Sequence, residues 1–139
     1  MPKIDINGTA YEYLDSTVIN FVEGLIGLPR LKKAVLVEDS DFRPFCWLAS
    51  LDDVTSRFIV VETKPIFPEY DPVSHLNSNG EKDCLDPDTV VLAVVNVSSE
   101  WTKTTVNLRA PILLNPHTRM AAQIILSNSG FELAERLPV

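Results

Sequence analysis

The sequence predicts a mostly β protein, a single-domain antiparallel barrel-like fold with short irregular loops, and three observations lead there. Short runs in which apolar and polar residues alternate, or in which β-branched residues dominate, recur along the whole chain. Turn residues punctuate nearly every gap between them, and no stretch carries the apolar spacing of a helix of ordinary length. Many short strands with turn signals between them fit a mostly antiparallel barrel or sandwich. A chain of 139 residues, 45% of them hydrophobic, suits one packed domain rather than a disordered tail.

Ile4 and Ile6 alternate with polar residues up to Asn7-Gly8, and Tyr11 and Tyr13 alternate after it. The dipeptide is therefore the tight turn of a hairpin, expected to be part of the sheet. Val18, Ile19 and Phe21 form another short run, ended by Gly24 and then by Gly27-Leu28-Pro29, a shaped loop. Ala34 to Val37 reads as a strand followed by an acidic turn, Glu38 to Asp41. Phe45 to Leu48 leads through Ser50-Leu51-Asp52-Asp53 to a further apolar strand, Phe58 to Val61. Pro65, Pro68 and Pro72 then surround Ile66, Phe67 and Tyr70, which excludes regular helix or ladder and places aromatic groups on a stiff loop. His75 to Lys82, with Asn77-Ser78-Asn79-Gly80, is a polar turn region, following at most one helical turn from Val73. Thr89 to Val97 is almost continuously apolar and is expected to be the central strand, buried on both faces.

Thr105 to Asn115 carries the cleanest period of two. Val106, Leu108, Ala110, Ile112 and Leu114 fall on one parity, whereas Asn107, Arg109 and Pro111 fall on the other. One face is thus expected in the core, worth roughly 1.5–3 kcal/mol for each fully buried aliphatic side chain, with Asn107, Arg109 and Pro111 facing outward or supporting a loop. Pro111 brings no N–H to a ladder and marks a sheet edge or a bulge where pairing stops. Pro116 to Arg119 turns the chain into Met120 to Leu126, and this strand and the Thr105 strand, the last ones, are expected to pair in antiparallel fashion. Ser127 to Gly130 is a loop before Phe131 and Leu133, with Glu132, Glu135 and Arg136 around them, and the final turn is expected to fray.

Twelve basic against nineteen acidic residues give a net charge of −7, which disfavours direct binding to a nucleic-acid backbone and favours a basic partner. Cys46 and Cys84 lie far apart and outside any metal-ligand pattern, so both are read as free thiols of a reducing compartment. The first residues lack the apolar segment of a signal peptide, and Val90 to Val95 is too short to span a bilayer. The expectation is a cytoplasmic protein with no membrane partner. Asn7-Gly8-Thr9 and Asn96-Val97-Ser98 match the glycosylation pattern by chance.

No residue set points to catalysis, a metal or a cofactor. His75 and His117 both fall in turns, with nothing to bring them together. Asp52-Asp53 beside Ser50 fits a pair that satisfies backbone donors at a turn better than acid/base chemistry. No glycine-rich phosphate loop joins a strand to a helix. Trp47 reads as core. Phe67 and Tyr70 are divided between core and a partner-facing loop, and Asn107 between supporting a loop and touching a partner.

The order and spacing of several segments, taken together, resemble the bacterial flagellar assembly factor FliW family over nearly the whole chain. The match runs through Phe21 to Pro29, Pro44 to Asp53, Phe67-Pro68-Glu69-Tyr70 and Gln123 to Leu126. Most distinctive is Asn107-Leu108-Arg109-Ala110-Pro111-Ile112. Leu28 departs from the Gly-Phe-Pro ending common in the family, and Glu62-Thr63-Lys64-Pro65 replaces a shorter Asp-Pro turn. The resemblance implies a non-enzymatic, barrel-like β protein with no cofactor. It also implies two partners: flagellin, and the RNA-binding translational repressor CsrA, whose sequestration relieves repression of flagellin synthesis. The candidate partner-binding residues are Phe67, Tyr70, Asn107, Arg109 and Pro111. The competing expectation is a small β-barrel that holds an apolar or flavin-like ligand without catalysis.

Overall fold

The structure, a computed structural model, describes residues 2–53, 56–73, 87–126 and 130–138. His75, the Asn77–Gly80 turn, Cys84 and most of the Ser127–Gly130 loop lie outside the described residues. Among the described residues eleven strands are present: β1 (Lys3–Ile6), β2 (Thr9–Glu12), β3 (Ile19–Phe21), β4 (Lys33–Glu38), β5 (Phe45–Ser50), β6 (Arg57–Glu62), β7 (Val90–Asn96), β8 (Thr105–Val106), β9 (Ile112–Leu114), β10 (Met120–Gln123) and β11 (Glu135–Arg136).

Seven of these strands close on themselves. The order β7-β6-β5-β4-β3-β10-β9 returns to β7 through the β7–β9 ladder, which makes a barrel rather than a sandwich. Every pairing in the ring is antiparallel except β3 with β10, which is parallel. The expectation that the last strands pair in antiparallel fashion therefore holds for β9–β10, and the parallel β3–β10 pairing is a feature that no local signal announced. β7 is central, as its composition suggested, and pairs with β6, β8 and β9.

Alternation sorts the strand residues into an interior and an outer face. Leu48, Val60, Leu92, Ile112 and Ala121 share one buried cluster that fills the barrel. Of their neighbours in sequence, which point outward, Ala49, Val61, Ala93 and Leu113 are buried too and Trp47, Ile59 and Val91 half-buried, because the rest of the chain lies over them. The β1–β2 hairpin covers Val35, Val37 and Ala49 with Ile4 and Ile6. The loop after β6 and the C-terminal segment cover Val61, Ala93, Val95 and Val106. Burial on both faces explains why β4 to β7 read as near-continuous apolar runs.

The hairpin turns at Asn7 (φ 53°) and Gly8 (φ 88°), as Asn-Gly favours. It forms its own two-stranded sheet instead of joining the larger one. Packing and the bond from Arg57 Nη2 to Asn7 Oδ1 (2.6 Å) hold it in place. Near the C-terminus, where the final turn was expected to fray, Glu135 and Arg136 form β11 and pair with β8.

The stretch Thr105–Asn115 is not one strand. From Val95 to Leu92 β7 advances three residues, whereas its partner advances six, from Val106 to Ile112, so three residues are extruded. An odd extrusion swaps the faces. Val106 and Leu108 consequently pack on the outer face, and Ile112 and Leu114 fill the interior. Pro111, expected to face outward, is fully buried in the extruded segment. Its carbonyl accepts from Ile124 N (3.1 Å), and that of Arg109 accepts from Leu126 N (2.8 Å), so residues 109–111 bond to the chain beyond β10 instead of to β7.

Candidate partner-binding surface

The loop after β6 is anchored at Thr63, a buried residue whose N–H donates to Val91 O (3.0 Å) and whose carbonyl accepts from Ile66 N and Phe67 N. Pro68 then sits at the second position of a tight turn closed by Tyr70 N donating to Phe67 O (3.0 Å), where its fixed φ fits. These two turns lay the aromatic residues on the barrel. Phe67 and Tyr70 are half-buried against the outer cluster containing Val95, Val106 and Leu108.

Tyr70 is the more constrained of the two. Its hydroxyl donates to Leu108 O, and its ring meets Phe131 edge-on, with centroids 4.7 Å apart. Burial pushes its phenol well above the ordinary value. Tyr70 therefore ties the loop to the extruded segment, while Phe67 lines a groove beside it.

Asn107 works inside the extruded turn. Its Oδ1 accepts from the N–H groups of Arg109 and Ala110, so its loop-supporting reading is the one seen. Arg109 is half-buried, and its Nε donates to Phe131 O (3.0 Å). Phe67, Tyr70, Asn107 and Arg109 thus gather around Leu108 and Phe131, while Pro111 is buried away from the surface.

A groove of about 650 Å³ runs between this loop and β11, with Phe67, Tyr70, Leu108 and Phe131 among its apolar lining. Glu69, Glu132 and Glu135 stand around it, with Arg136 as the basic residue. A smaller recess of about 180 Å³ adjoins it at Ile66 and Pro138, between Phe45, Leu137 and Trp101. Trp101 is 54% exposed. In the sequence the C-terminal wall was hidden, because β11 is too short to show a period.

Elsewhere the polar residues have structural duties. Asp52 Oδ2 accepts from Lys32 N (2.8 Å) and Lys33 N (2.7 Å), and Ser50 Oγ accepts from Asp52 N and Asp53 N, the donor-satisfying role expected at this turn. His117 Nε2 and Asp88 Oδ2 form an exposed pair at 2.9 Å. Burial raises the Cys46 thiol above its ordinary value, with Glu38 and Glu62 adding to the effect. Among the described residues no group of three or more His, Cys, Asp or Glu is placed to hold a metal. No helix of the described residues is long and apolar enough to cross a membrane.

Comparison with known proteins places this architecture. A family model described as FliW protein matches residues 7–137. The flagellar assembly factor FliW of Geobacter sulfurreducens is 35% identical over 119 residues, 84% of this chain and 74% of that protein. That of Clostridium beijerinckii is 32% identical over 126 residues, covering 90% and 89%. A crystal structure of the flagellar assembly factor FliW matches with a TM-score of 0.86 at 26% identity, covering 99% of each chain. Agreement of the family model, the relatives and the closed barrel means that the chain belongs to the FliW family of flagellar assembly factors.

Proposed function

We propose that this flagellar assembly factor acts in the cytoplasm by binding two proteins in turn, flagellin and a CsrA-type RNA-binding repressor. Held by the factor, the repressor no longer blocks flagellin synthesis. Unexported flagellin occupies the factor and releases the repressor again. The observation that carries this reading is the aromatic groove with its carboxylates on the outside of the barrel. Aromatic groups already packed in place lose little entropy on docking and suit a protein partner. The net charge of −7 suits a partner whose own surface is basic enough to bind RNA.

The rival reading, a barrel holding an apolar or flavin-like ligand, needs room inside. Leu48, Val60, Leu92 and Ile112, each no more than 4% exposed, occupy that space instead.

Titration calorimetry of the purified protein with flagellin, and separately with a CsrA-type regulator, tests the proposal at low micromolar concentrations. Heat of binding and co-elution on gel filtration are expected for both, with association of the regulator slowing as salt rises. Absence of heat and of co-elution at low salt for either protein removes that partner from the reading.

A further inference from the structure

We propose that the groove takes an extended peptide segment that adds as a strand to the free edge of β11 and sets a Lys or Arg side chain among Glu69, Glu132 and Glu135. This rests on the binding role proposed above and names the chemistry of what is bound.

The first support is the sheet itself. β11 ends the strand order and is bonded to β8 on one side, so among the described residues no strand pairs with its other edge. An unpaired edge offers backbone donors and acceptors to an incoming extended chain. Among the described residues the seven barrel strands have no terminal strand of this kind, because their order closes on itself.

The groove beside that edge supplies the side-chain selection. Phe67, Leu108 and Phe131 give it an apolar lining, and the Tyr70 ring contact fixes Phe131 before anything binds. Among the described lining residues three carboxylates stand against Arg136, which makes the groove's charge negative. Glu69 and Glu132 are exposed and Glu135 is half-buried, so a cation can reach all three. Alternate residues of an added strand face the same way. An apolar residue two positions from a basic one therefore places the first on the rings and the second among the carboxylates. A volume of about 650 Å³ is large enough for a few side chains.

Fluorescence anisotropy with a labelled seven-residue peptide tests this directly, using valine, lysine and valine at its second, fourth and sixth positions and serine elsewhere. Saturable binding is expected, weakened about tenfold when glutamate replaces the lysine and when the protein carries Glu69→Lys or Glu135→Lys. N-methylation of the peptide backbone on the face that would pair with β11 is expected to abolish it. No binding of the lysine peptide, equal binding of the glutamate peptide, or full binding of the N-methylated peptide each overturns the proposal. Melting of both variants by circular dichroism separates lost binding from lost fold. Flagellin calorimetry on the same proteins distinguishes the two levels of inference. No heat with the unaltered protein refutes flagellin as a partner, whereas equal heat for the unaltered protein and both variants refutes the groove as the docking place and leaves the partner standing.

Discussion

The Oδ1 of Asn107 accepts the backbone N–H of Ala110 at 3.1 Å, and the same atom takes the N–H of Arg109 at 3.1 Å. One side chain thereby satisfies two donors in the segment extruded between β8 and β9. Asn107→Ala leaves both without that acceptor, and an unsatisfied buried donor costs about 1–3 kcal/mol. Since the bonds are part-buried, the expected loss is about 2 kcal/mol. Asn107→Asp keeps the acceptor and is expected to lose less than half as much. Urea denaturation of both variants measures the difference. An Ala variant as stable as the original would mean that pairing with β7 alone shapes the turn.

That turn also shows where the sequence stops being legible. Hairpin β1–β2 and strands β4 to β7 could be read from local signals: Asn7-Gly8, the prolines after β6, and runs such as Val90 to Val95. The extruded segment keeps its period of two in sequence, and Val106, Leu108, Ala110, Ile112 and Leu114 are all buried as that period predicts. Nothing local reveals that the first two of them pack outside the barrel and the last pair inside, because the face swap arises from register against β7, far away in the chain. For the same reason the outward assignment of Pro111 failed while its role as a break in pairing held. The candidate surface was half visible. Phe67 and Tyr70 stood out through their prolines, but Phe131 and Glu135 gain their meaning only from the pairing of β11 with β8.

Tyr70→Phe removes the hydroxyl that donates to Leu108 O and is expected to cost about 1 kcal/mol near neutral pH. Its pH dependence has a definite sign. Burial raises the Tyr70 phenol above its ordinary 10.0, so the folded state keeps its proton where the unfolded chain releases it. The stabilisation is full below about pH 10 and is lost as pH climbs through the raised folded value. Melting temperatures of the two proteins should therefore converge above about pH 10. A constant gap between neutral and alkaline pH would show that Tyr70 is not protected.

Gly24 and Gly27 both adopt left-handed backbone, at φ 74° and 84°, yet alanine should distinguish them. A Cβ on Gly24 would lie 2.6 Å from the carbonyl oxygen of Pro29, and one on Gly27 meets nothing within 4 Å. Gly27→Ala is expected to cost about 1–2 kcal/mol, the left-handed penalty alone. Gly24→Ala adds a clash with backbone that cannot rotate away, for a total of about 3 kcal/mol or more. Equal losses in chemical denaturation would mean that the loop shifts to relieve the contact.

Val106 and Arg109 test the two sides of the extruded segment. Val106 is 0% exposed in the outer cluster, so Val106→Asp buries a charge without a partner and is expected to unfold the domain. Arg109 has a different task, since its Nε holds Phe131 O at 3.0 Å and Phe131 in turn packs on Tyr70. Arg109→Glu replaces that donor with an acceptor facing the same carbonyl, with an expected loss of about 1–2 kcal/mol, more than an ordinary surface substitution. The damage should be local. Residues 130–138 lose one of their ties to the barrel while the β8–β11 ladder remains, so their amides should exchange hydrogen faster while those of β4 to β6 keep their protection. Because the same residues wall the groove, partner capture should weaken beyond what the stability change explains. An Arg109→Glu protein with unaltered exchange at 130–138 would show that the β8–β11 pairing holds the C-terminal segment without help from this side chain.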